Sequence, residues 1–470
     1  MLRHRIRWTR GFTTWATACG LGLAAAHPAH AQQPVPEGAQ LQVNTYTTSY
    51  QSSPSLAAEV DGDFVVVWQS IGSSGTDTSL VSIQGQRYGS NGSAQGTQFQ
   101  VNTYTTGYQS HPTVAARTDG DFVVVWKSIG SSGTDASAGS IQGQRYASNG
   151  SAQGGEFQVN TYTTSDQSRP SVATDMDGDF VVAWESYGSF GTDTTSVSVQ
   201  GQRYASDGSA QGAQFQVNSY TAGFQYHQSV AADANGDFVV VWWSCCSSGT
   251  DTSDSSIQGQ RYASDGSPQG AEFQVNTYTT STQMVPSVAA EADGDFVVVW
   301  MGASGPDPSD SNIRGQRYAS DGSTQGGEFQ INSYTTDNQG VPSVTADADG
   351  EFVVVWASYG TFGTDTSETS IQGQRYASDG STQGGEFQVN TYTTSHQGFP
   401  SVAASADGDF VTVWWSYGSF ETDSSATSIQ GQRYSVLADA PPVPAMSPAM
   451  RFALGAALML LGSAYALRRR

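Results

Sequence analysis

Length, composition and charge exclude two classes of protein, disordered chains and nucleic-acid-binding proteins. The chain has 470 residues, 53 of them glycine, and a formal net charge of -23. Aromatic residues make up 11% of it, which is too hydrophobic a composition for a disordered chain. Eight of the 19 basic residues lie in the two terminal segments. Without those eight, the chain has 11 basic residues against 42 acidic ones. A surface this acidic repels nucleic acid and excludes a nucleic-acid-binding function.

Residues 1–31 are typical of a secretory signal peptide. A basic start is followed by an apolar run from Trp15 to Ala26, and Ala29-His30-Ala31 supplies the small-x-small cleavage pattern. The apolar run is too short to cross a bilayer as an anchor. We therefore predict export through the inner membrane, cleavage after Ala31 and a short linker over 32–38.

One stretch organises the rest of the chain. It reads Asp-Gly-Asp-Phe-Val-Val-Val-Trp over 61–68 and recurs, slightly varied, six more times. Its tryptophans are Trp68, Trp126, Trp184, Trp242, Trp300, Trp356 and Trp414. Their spacing is 58 residues at every step except one, which is 56. A fixed period of this length predicts an array of repeated supersecondary units.

Each repeat predicts four β-strands, which we name A to D. In the first complete repeat they cover Pro54–Val60, Asp63–Trp68, Ile83–Tyr88 and Phe99–Asn102. Asp-Gly and Asn-Gly pairs join A to B and C to D, as in tight hairpins, because both residue types tolerate positive φ. The B-to-C and D-to-A connections are longer. Alternating short and long connections between four antiparallel strands predict the blade of a β-propeller.

The two ends of the array complement each other. Leu41–Asn44 is a D strand with no A, B or C before it, and the last repeat has no D after its C strand, Ile429–Tyr434. The N-terminal strand therefore completes the last blade and leaves no open sheet edge. We predict an all-β, seven-bladed propeller over 39–435. An open solenoid or two stacked sheets are the alternatives.

The repeat resembles tandem repeats of bacterial surface proteins. The shared pattern is DGDFVVVW…GQRY…DGS…EFQVN, over about 39–435. This resemblance implies a propeller fold and does not imply any chemistry.

The C-terminal end is similar to bacterial sorting signals. A Pro-rich segment over 436–448 precedes an apolar run and Arg468–Arg470, within a predicted transmembrane helix and basic tail over 449–470. The segment carries a motif that resembles the IPTL-CTERM family and consists of Val443, Pro444, Ala445, Met446 and Ser447. The resemblance implies a sorting or processing protease as partner and a location at the cell surface or outside the cell. A plain tail anchor in the membrane is the alternative.

The candidate binding residues are positions that vary while their surroundings repeat. Each D-to-A connection carries a fixed glutamine, which we expect to be exposed. Two residues after it stands a variable residue, which we predict at the mouth of the central channel and name a rim residue. The rim residues are Ser53, His111, Arg169, His227, Val285, Val341 and Phe399. Drift of surface loops also explains such variation.

Two other repeated features carry weaker signals. Acidic turns such as Asp175-x-Asp177-Gly178-Asp179 resemble the start of a calcium loop, but later ligands do not follow, so we favour hairpin turns and predict no cofactor, with calcium binding at these turns as the alternative. The arginine of each Gly-Gln-Arg-Tyr motif recurs sevenfold, whereas sialidases, which also use arginines in a propeller, group them asymmetrically. We expect each of these arginines to pair locally.

Three functions fit these observations. We predict a non-enzymatic binding, adhesion or display module with a glycan or peptide ligand, because no acid/base pair stands out in the sequence. One alternative is a propeller enzyme, a glycan lyase or hydrolase with its site in the channel. The other is a structural envelope or matrix protein.

Overall fold

The computed structural model describes residues 33–72, 80–130, 133–135, 138–188, 191, 197–245, 255–279, 281–303, 311–335, 337–360, 368–418 and 427–436. Every regular element in these ranges is a β-strand, and the strands form seven antiparallel four-stranded sheets. The predicted leader, sorting motif and C-terminal helix lie outside the described residues. Within the described ranges, no helix is long and apolar enough to cross a membrane.

The first four blades follow the chain in the order A, B, C, D. Blade one comprises β2 (Gln51–Ala58), β3 (Phe64–Ile71), β4 (Val81–Tyr88) and β5 (Ala94–Gln100). Blade two comprises β6 (Gln109–Ala116), β7 (Phe122–Ile129), β8 (Gly139–Tyr146) and β9 (Ala152–Gln158). Blade three comprises β10 (Gln167–Thr174), β11 (Phe180–Tyr187), β12 (Val197–Tyr204) and β13 (Ala210–Gln216). Blade four comprises β14 (Gln225–Ala232), β15 (Phe238–Cys245), β16 (Ser255–Tyr262) and β17 (Pro268–Gln274).

The last three blades continue the pattern until the final D strand. Blade five comprises β18 (Gln283–Ala290), β19 (Phe296–Ala303), β20 (Ser311–Tyr318) and β21 (Thr324–Gln330). Blade six comprises β22 (Gln339–Ala346), β23 (Phe352–Tyr359), β24 (Thr369–Tyr376) and β25 (Thr382–Gln388). Blade seven comprises β26 (Gln397–Ala404), β27 (Phe410–Tyr417) and β28 (Thr427–Ser435), and its fourth strand is β1 (Val35–Gln42).

The blades close into a ring. The A strand of each blade contacts the A strand of the next, and β26 contacts β2, so the seven A strands form the inner wall. Within each blade A pairs with B, B with C and C with D. The predicted seven-bladed propeller is confirmed.

The N-terminal strand closes the ring through β28. Leu41 pairs with Gly431, and the Val43 backbone N–H donates to the Ile429 carbonyl oxygen at 2.8 Å. The Asn44 side-chain oxygen accepts the Ile429 N–H at 2.7 Å. β1 already begins at Val35, within the segment 32–38 that the sequence analysis assigned to a linker.

Strand boundaries differ from the predicted ones because the ladders contain bulges. Strand A of blade one begins at Gln51 and shifts register between Ser52 and Ser55. The C–D ladder also shifts register, between Gly85 and Arg87. A bulge breaks the alternation of inward and outward side chains from which strand ends are predicted.

The hydrophobic core lies between blades. Each cluster of buried apolar residues combines side chains of two neighbouring blades, such as Val65 and Ile83 of blade one with Phe122 and Trp126 of blade two. All seven strand-B tryptophans have 0% exposure. Every B strand is therefore covered on both faces, which explains its uninterrupted apolar sequence.

The repeated tyrosine links consecutive blades. Phe64 and Tyr88 stack within blade one, with ring centroids 4.9 Å apart, and the Tyr88 hydroxyl donates to the Val43 carbonyl oxygen of blade seven at 3.0 Å. Equivalent tyrosines in the other six blades donate to the blade before them. Each blade thus contributes a buried hydrogen bond to its predecessor.

The repeated arginines also act locally, as predicted. Arg87 donates to the Gln95 side-chain oxygen at 2.8 Å. Arg145 reaches the next blade and donates to the Ser206 carbonyl oxygen at 2.7 Å. The Gly-Gln-Arg-Tyr motif therefore joins strands and blades around the ring.

The fixed glutamines are buried, and the prediction that they lie exposed on the rim was wrong. In every blade the strand-B tryptophan Nε1 donates to the side-chain oxygen of the glutamine that begins strand A, at 2.9 to 3.2 Å. The glutamines are Gln51, Gln109, Gln167, Gln225, Gln283, Gln339 and Gln397, each at most 1% exposed. A buried indole N–H requires an acceptor, and this requirement explains the repeat of glutamine.

We expect Gln339→Leu to destabilise blade six by about 1–3 kcal/mol, because it leaves the Trp356 N–H buried without an acceptor. Urea titrations of Gln339→Leu, Trp356→Phe and the double variant measure the coupling between the two side chains. If the losses in unfolding free energy of the two single variants add up to that of the double variant, the hydrogen bond contributes nothing to stability.

Candidate functional site

The rim residues lie inside strand A, at its bulge. All seven have φ between 47° and 53°, in the left-handed region. This conformation is uncommon for residues other than glycine and is strained for Val285 and Val341, which are β-branched. In six blades a proline follows the rim residue, whereas Gln228 follows His227. A bulge re-aims its side chain, so the ring of A strands presents seven side chains in equivalent positions.

The bulges lie at the end of the ring that carries the long connections. Gln51 at the start of strand A pairs with Ser70 at the end of strand B, and Ile71 pairs with Val81 at the start of strand C. The D-to-A and B-to-C connections therefore share one face, which we call the mouth face. The Asp-Gly turns lie at the opposite ends of the strands.

A second variable position faces the rim. It is the residue after the strand-B tryptophan, and we call its members the facing residues. They are Gln69, Lys127, Glu185, Trp243, Met301, Ala357 and Trp415. Each pairs across the A–B ladder with the residue just before the rim residue, as Ser168 does with Glu185. Both variable positions thus sit side by side on the mouth face.

In blades two to four, rim and facing residues join an aspartate of a D-to-A connection in one polar group, the mouth cluster. Its members are His111, Lys127, Asp166, Arg169, Glu185 and His227. Lys127 is the chain's one lysine. The cluster exists in three neighbouring blades of seven and therefore breaks the symmetry of the ring.

Glu185 is the buried centre of the mouth cluster. Its side chain is 1% exposed, and Oε1 accepts the His227 backbone N–H at 2.9 Å and lies 3.4 Å from Arg169 Nη1. Burial raises the pKa of the Glu185 carboxyl, against the opposing effects of the His227 N–H and Arg169. Glu185 therefore holds the Arg169 guanidinium and the His227 backbone in place.

His227 is neutral and oriented. Arg169 Nη1 lies 2.9 Å from His227 Nε2, and since a guanidinium only donates, Nε2 accepts and the ring proton lies on Nδ1. Burial, followed by the charges of Arg169 and His111, lowers the pKa of His227 to about 4. The ring lies 5.9 Å from that of Trp243.

His111 is a second neutral imidazole beside the same cations. The residue is exposed, yet desolvation by the surrounding protein and the charges of Arg169 and Lys127 lower its pKa to about 4. Its Nδ1 lies 3.2 Å from the Ser110 hydroxyl. Both histidines therefore carry no charge at neutral pH.

Lys127 forms an ion pair with the loop before strand A of blade three. Its Nζ lies 2.7 Å from Asp166 Oδ2, and the lysine side chain is 13% exposed against 34% for the aspartate. The pair joins blades two and three beside His111. Asp166 is thus the more accessible of the two carboxylates in the mouth cluster.

An aromatic surface borders the mouth cluster in blade four. The rings of Phe224 and Tyr226 stack at 5.5 Å, and Tyr226 lies 5.4 Å from Trp243. Burial, followed by the charge of Glu185, raises the pKa of the Tyr226 phenol. Burial and the charge of Glu185 raise the pKa of Tyr187 to about 12, so this phenol stays protonated at neutral pH.

The mouth cluster includes three of the seven predicted rim residues. His111, Arg169 and His227 come together, whereas Ser53, Val285 and Val341 make no described side-chain contact with this group. Phe399 instead packs on Trp415 in blade seven, with ring centroids 6.4 Å apart.

Sequence reasoning missed the facing residues. Their signal is the same one that identified the rim, variation inside a constant repeat, but it falls within an apparently structural strand. Lys127 as the chain's one lysine and Gln228 in place of a proline mark the same blades. The Gln228 side chain donates to the Ala183 carbonyl oxygen at 3.3 Å and to the Arg169 carbonyl oxygen.

Clefts on the opposite face belong to the repeat. One of them, of about 280 Å³, lies between blades three and four and is lined by Asp179, Arg203 and Gln211 among others. Asp179 accepts the Ser206 N–H at 2.9 Å and the Gln211 amide at 2.6 Å, so its oxygens serve the turns. Smaller versions of this cleft recur between other blades, which indicates a structural groove.

The acidic turns act mainly as turns. Asp61 accepts the Asp63 N–H at 3.2 Å, and Asp63 accepts the Ser90 N–H at 2.8 Å. Three carboxylates approach one another in blades one and five, at Glu59, Asp61 and Asp63 and at Glu291, Asp293 and Asp295. Burial, reinforced by the neighbouring aspartates, raises the pKa of both Glu59 and Glu291 to about 7.

Comparison with known proteins gives similarity of fold. No family model matches the chain, and no curated protein matches it. The structure of a protein of unknown function from Dyadobacter fermentans DSM 18053 aligns over 86% of this chain and 99% of its own, at 10% identity and a TM-score of 0.49. The polysaccharide lyase Uly1 aligns over 87% of this chain and 100% of its own, at 9% identity and a TM-score of 0.48. The NanB sialidase of Streptococcus pneumoniae aligns over 85% of this chain and 71% of its own, at 11% identity and a TM-score of 0.45.

The prediction that the protein is not an enzyme is corrected by these comparisons. A polysaccharide lyase and a sialidase match this chain over 87% and 85% of its residues. The prediction rested on the sevenfold repeat and on the lack of an acid/base pair in the sequence. At 9% and 11% identity these proteins assign no substrate and no residue role to this chain.

We expect the double variant Glu59→Gln, Glu291→Gln to melt at a higher temperature than the unchanged protein at pH 8. Folding raises both pKa values from 4.5 to about 7, so their contribution to stability is present below pH 4.5 and is lost as the pH rises to about 7. At pH 4 the two proteins should melt together.

Asp265→Asn is the control for this experiment. Hydrogen bonds from Ser267 lower the pKa of Asp265, so its replacement should bring no gain at pH 8. Equal melting temperatures of the double variant and the unchanged protein at pH 8 would contradict the prediction. Added calcium that stabilises only the unchanged protein would identify these turns as calcium sites.

Proposed function

We propose that the protein is an enzyme that cleaves glycans at the mouth of its propeller channel. The observation that carries this proposal is the asymmetric mouth cluster, in which Arg169 lies between a buried carboxyl group, Glu185, and a neutral imidazole, His227. A sevenfold scaffold needs no such arrangement for stability, since the other blades fold without it. Clustered titratable groups with shifted pKa values are typical of active sites.

The surroundings of the cluster favour a sugar polymer as the substrate. Phe224, Tyr226 and Trp243 form an aromatic surface beside Arg169 and His227, and aromatic rings pack against the apolar faces of sugars. Phenol, imidazole and guanidinium groups next to it supply hydrogen bonds to hydroxyl or carboxylate oxygens.

Incubating the full-length chain with neutral and acidic polysaccharides and measuring new reducing ends tests the proposal. We expect cleavage of at least one polymer, and a loss of roughly 10²-fold or more in kcat/KM for Arg169→Ala, because the site would lose its oriented cation. Met176→Ala, exposed on the opposite face of blade three, is the matched control and should retain full activity.

Two results would contradict the proposal. One is the absence of cleavage of every polymer. The other is full activity of a folded Arg169→Ala variant, with folding checked by circular dichroism and melting temperature.

The proposed place of action is the cell surface. The terminal segments support export through the inner membrane, cleavage after Ala31 and a second cut near Val443–Ser447 by a sorting protease. Mass spectrometry of the surface-exposed protein should find an N-terminus at Gln32 and no peptide that ends in Arg468–Arg470. An intact C-terminal end on the mature surface protein would rule out the second cut.

A further inference from the structure

The side chains of the mouth cluster distinguish between two ways of cleaving a glycan. Most glycoside hydrolases use two carboxyl groups that flank the scissile bond. Among the described residues of the cluster, one carboxyl group, Glu185, is 1% exposed and held by its protein partners. Asp166, 34% exposed, is the one accessible carboxylate, and Lys127 pairs with it. The pair of accessible carboxyl groups that this common form of hydrolysis needs is therefore not formed by these residues.

β-Elimination needs a different set of groups. A cation must neutralise a sugar carboxylate so that the adjacent C–H becomes acidic, a neutral base must take that proton, and a donor must protonate the leaving oxygen. The mouth cluster and its aromatic border contain one candidate for each task.

Arg169 fits the sugar carboxylate. Its side chain is 41% exposed, and its hydrogen bonds to described residues all use Nη1, which leaves Nε and Nη2 as donors. Two parallel N–H groups match the two oxygens of a carboxylate. Glu185 and His227 hold Nη1, so the guanidinium is oriented before a ligand arrives.

His111 fits the base. It is neutral, exposed to solvent and influenced by the charge of Arg169. A carboxylate bound at Arg169 would offset the cation that lowers the pKa of His111 and would make the imidazole more basic when substrate is present. His227 Nε2 is occupied by Arg169 and is less suited to this task.

Tyr226 fits the proton donor. Burial raises the pKa of its phenol, so Tyr226 carries its proton at neutral pH. Tyr226 and His227 both contact Trp243, which places the phenol and the Arg169–His227 pair on the same side of blade four.

We infer that the mouth cluster cleaves uronate-containing glycans by β-elimination, with Arg169 on the sugar carboxylate, His111 as base and Tyr226 as acid. This inference rests on the proposed function. His111 takes H5, the electron pair of the C5–H bond forms the C4=C5 double bond, and the C4–O4 bond breaks. O4 takes the proton of Tyr226. A proton returns from His111 to the phenolate through solvent, and neither water nor an oxidant is consumed.

The test compares a uronate polymer with its own neutral derivative. The full-length chain is incubated with alginate, polygalacturonate and hyaluronan, and with the same polymers after reduction of their carboxyl groups. We expect cleavage of a uronate polymer only. Mass spectrometry in ¹⁸O-labelled water should show unsaturated, unlabelled products, since elimination incorporates no water.

Single substitutions test the role of each residue. His111→Gln and Tyr226→Phe should each lower kcat by roughly 10²-fold or more, since each removes a proton-transfer group. Arg169→Lys should raise KM as well as lower kcat, because the paired donors are lost. Met176→Ala should match the unchanged protein. Full activity of a folded His111→Gln variant would overturn the role given to His111.

The remaining outcomes separate the inference from the proposed function. Saturated products carrying ¹⁸O, or cleavage of the carboxyl-reduced polymers, would overturn the inference and leave a glycan-cleaving enzyme. No cleavage of any polymer would overturn both.

Discussion

The structure depends on one constraint, that no blade buries its own two faces. Val65 and Ile83 of blade one pack on Phe122 and Trp126 of blade two, and equivalent groups continue around the ring. Closing the ring requires the same contacts between blades seven and one, where Val43 joins Trp68 and Val413. The hydrophobic effect therefore stabilises the ring as a whole, and the pairing of β1 with β28 removes the remaining open edge.

Hydrogen bonds of the buried tryptophans determine how strand A begins in every blade. Buried tryptophans need acceptors, so a glutamine begins every A strand, and two residues later the chain turns into a bulge with positive φ. The bulge holds one side chain per blade at the mouth face in a fixed conformation. A symmetric framework thus presents seven equivalent positions, and substitution at a few of them produces an asymmetric site without changing the fold.

Much of the fold was predictable because it repeats. Seven tryptophans at a nearly constant spacing, Asp-Gly turns and a missing final D strand predict the blade number and the closure by the N-terminal strand. The glutamines were misjudged, since a polar residue in a connection predicts exposure when its partner Trp68 is not in view. Strand ends shifted because a bulge between Ser52 and Ser55 breaks the alternation of inward and outward side chains from which strand ends are predicted.

The sequence by itself determined the strand order, the shared core and the seven variable rim positions, because periodic burial imposes a periodic pattern of residues. Only the tertiary structure decided which variable residues meet. Lys127 and Asp166 are 39 residues apart along the chain, and Arg169 and His227 are 58 apart, yet ring geometry brings each pair within hydrogen-bonding distance. Such contacts join different blades, and a sequence read one repeat at a time contains no information on the distance between side chains across a blade interface.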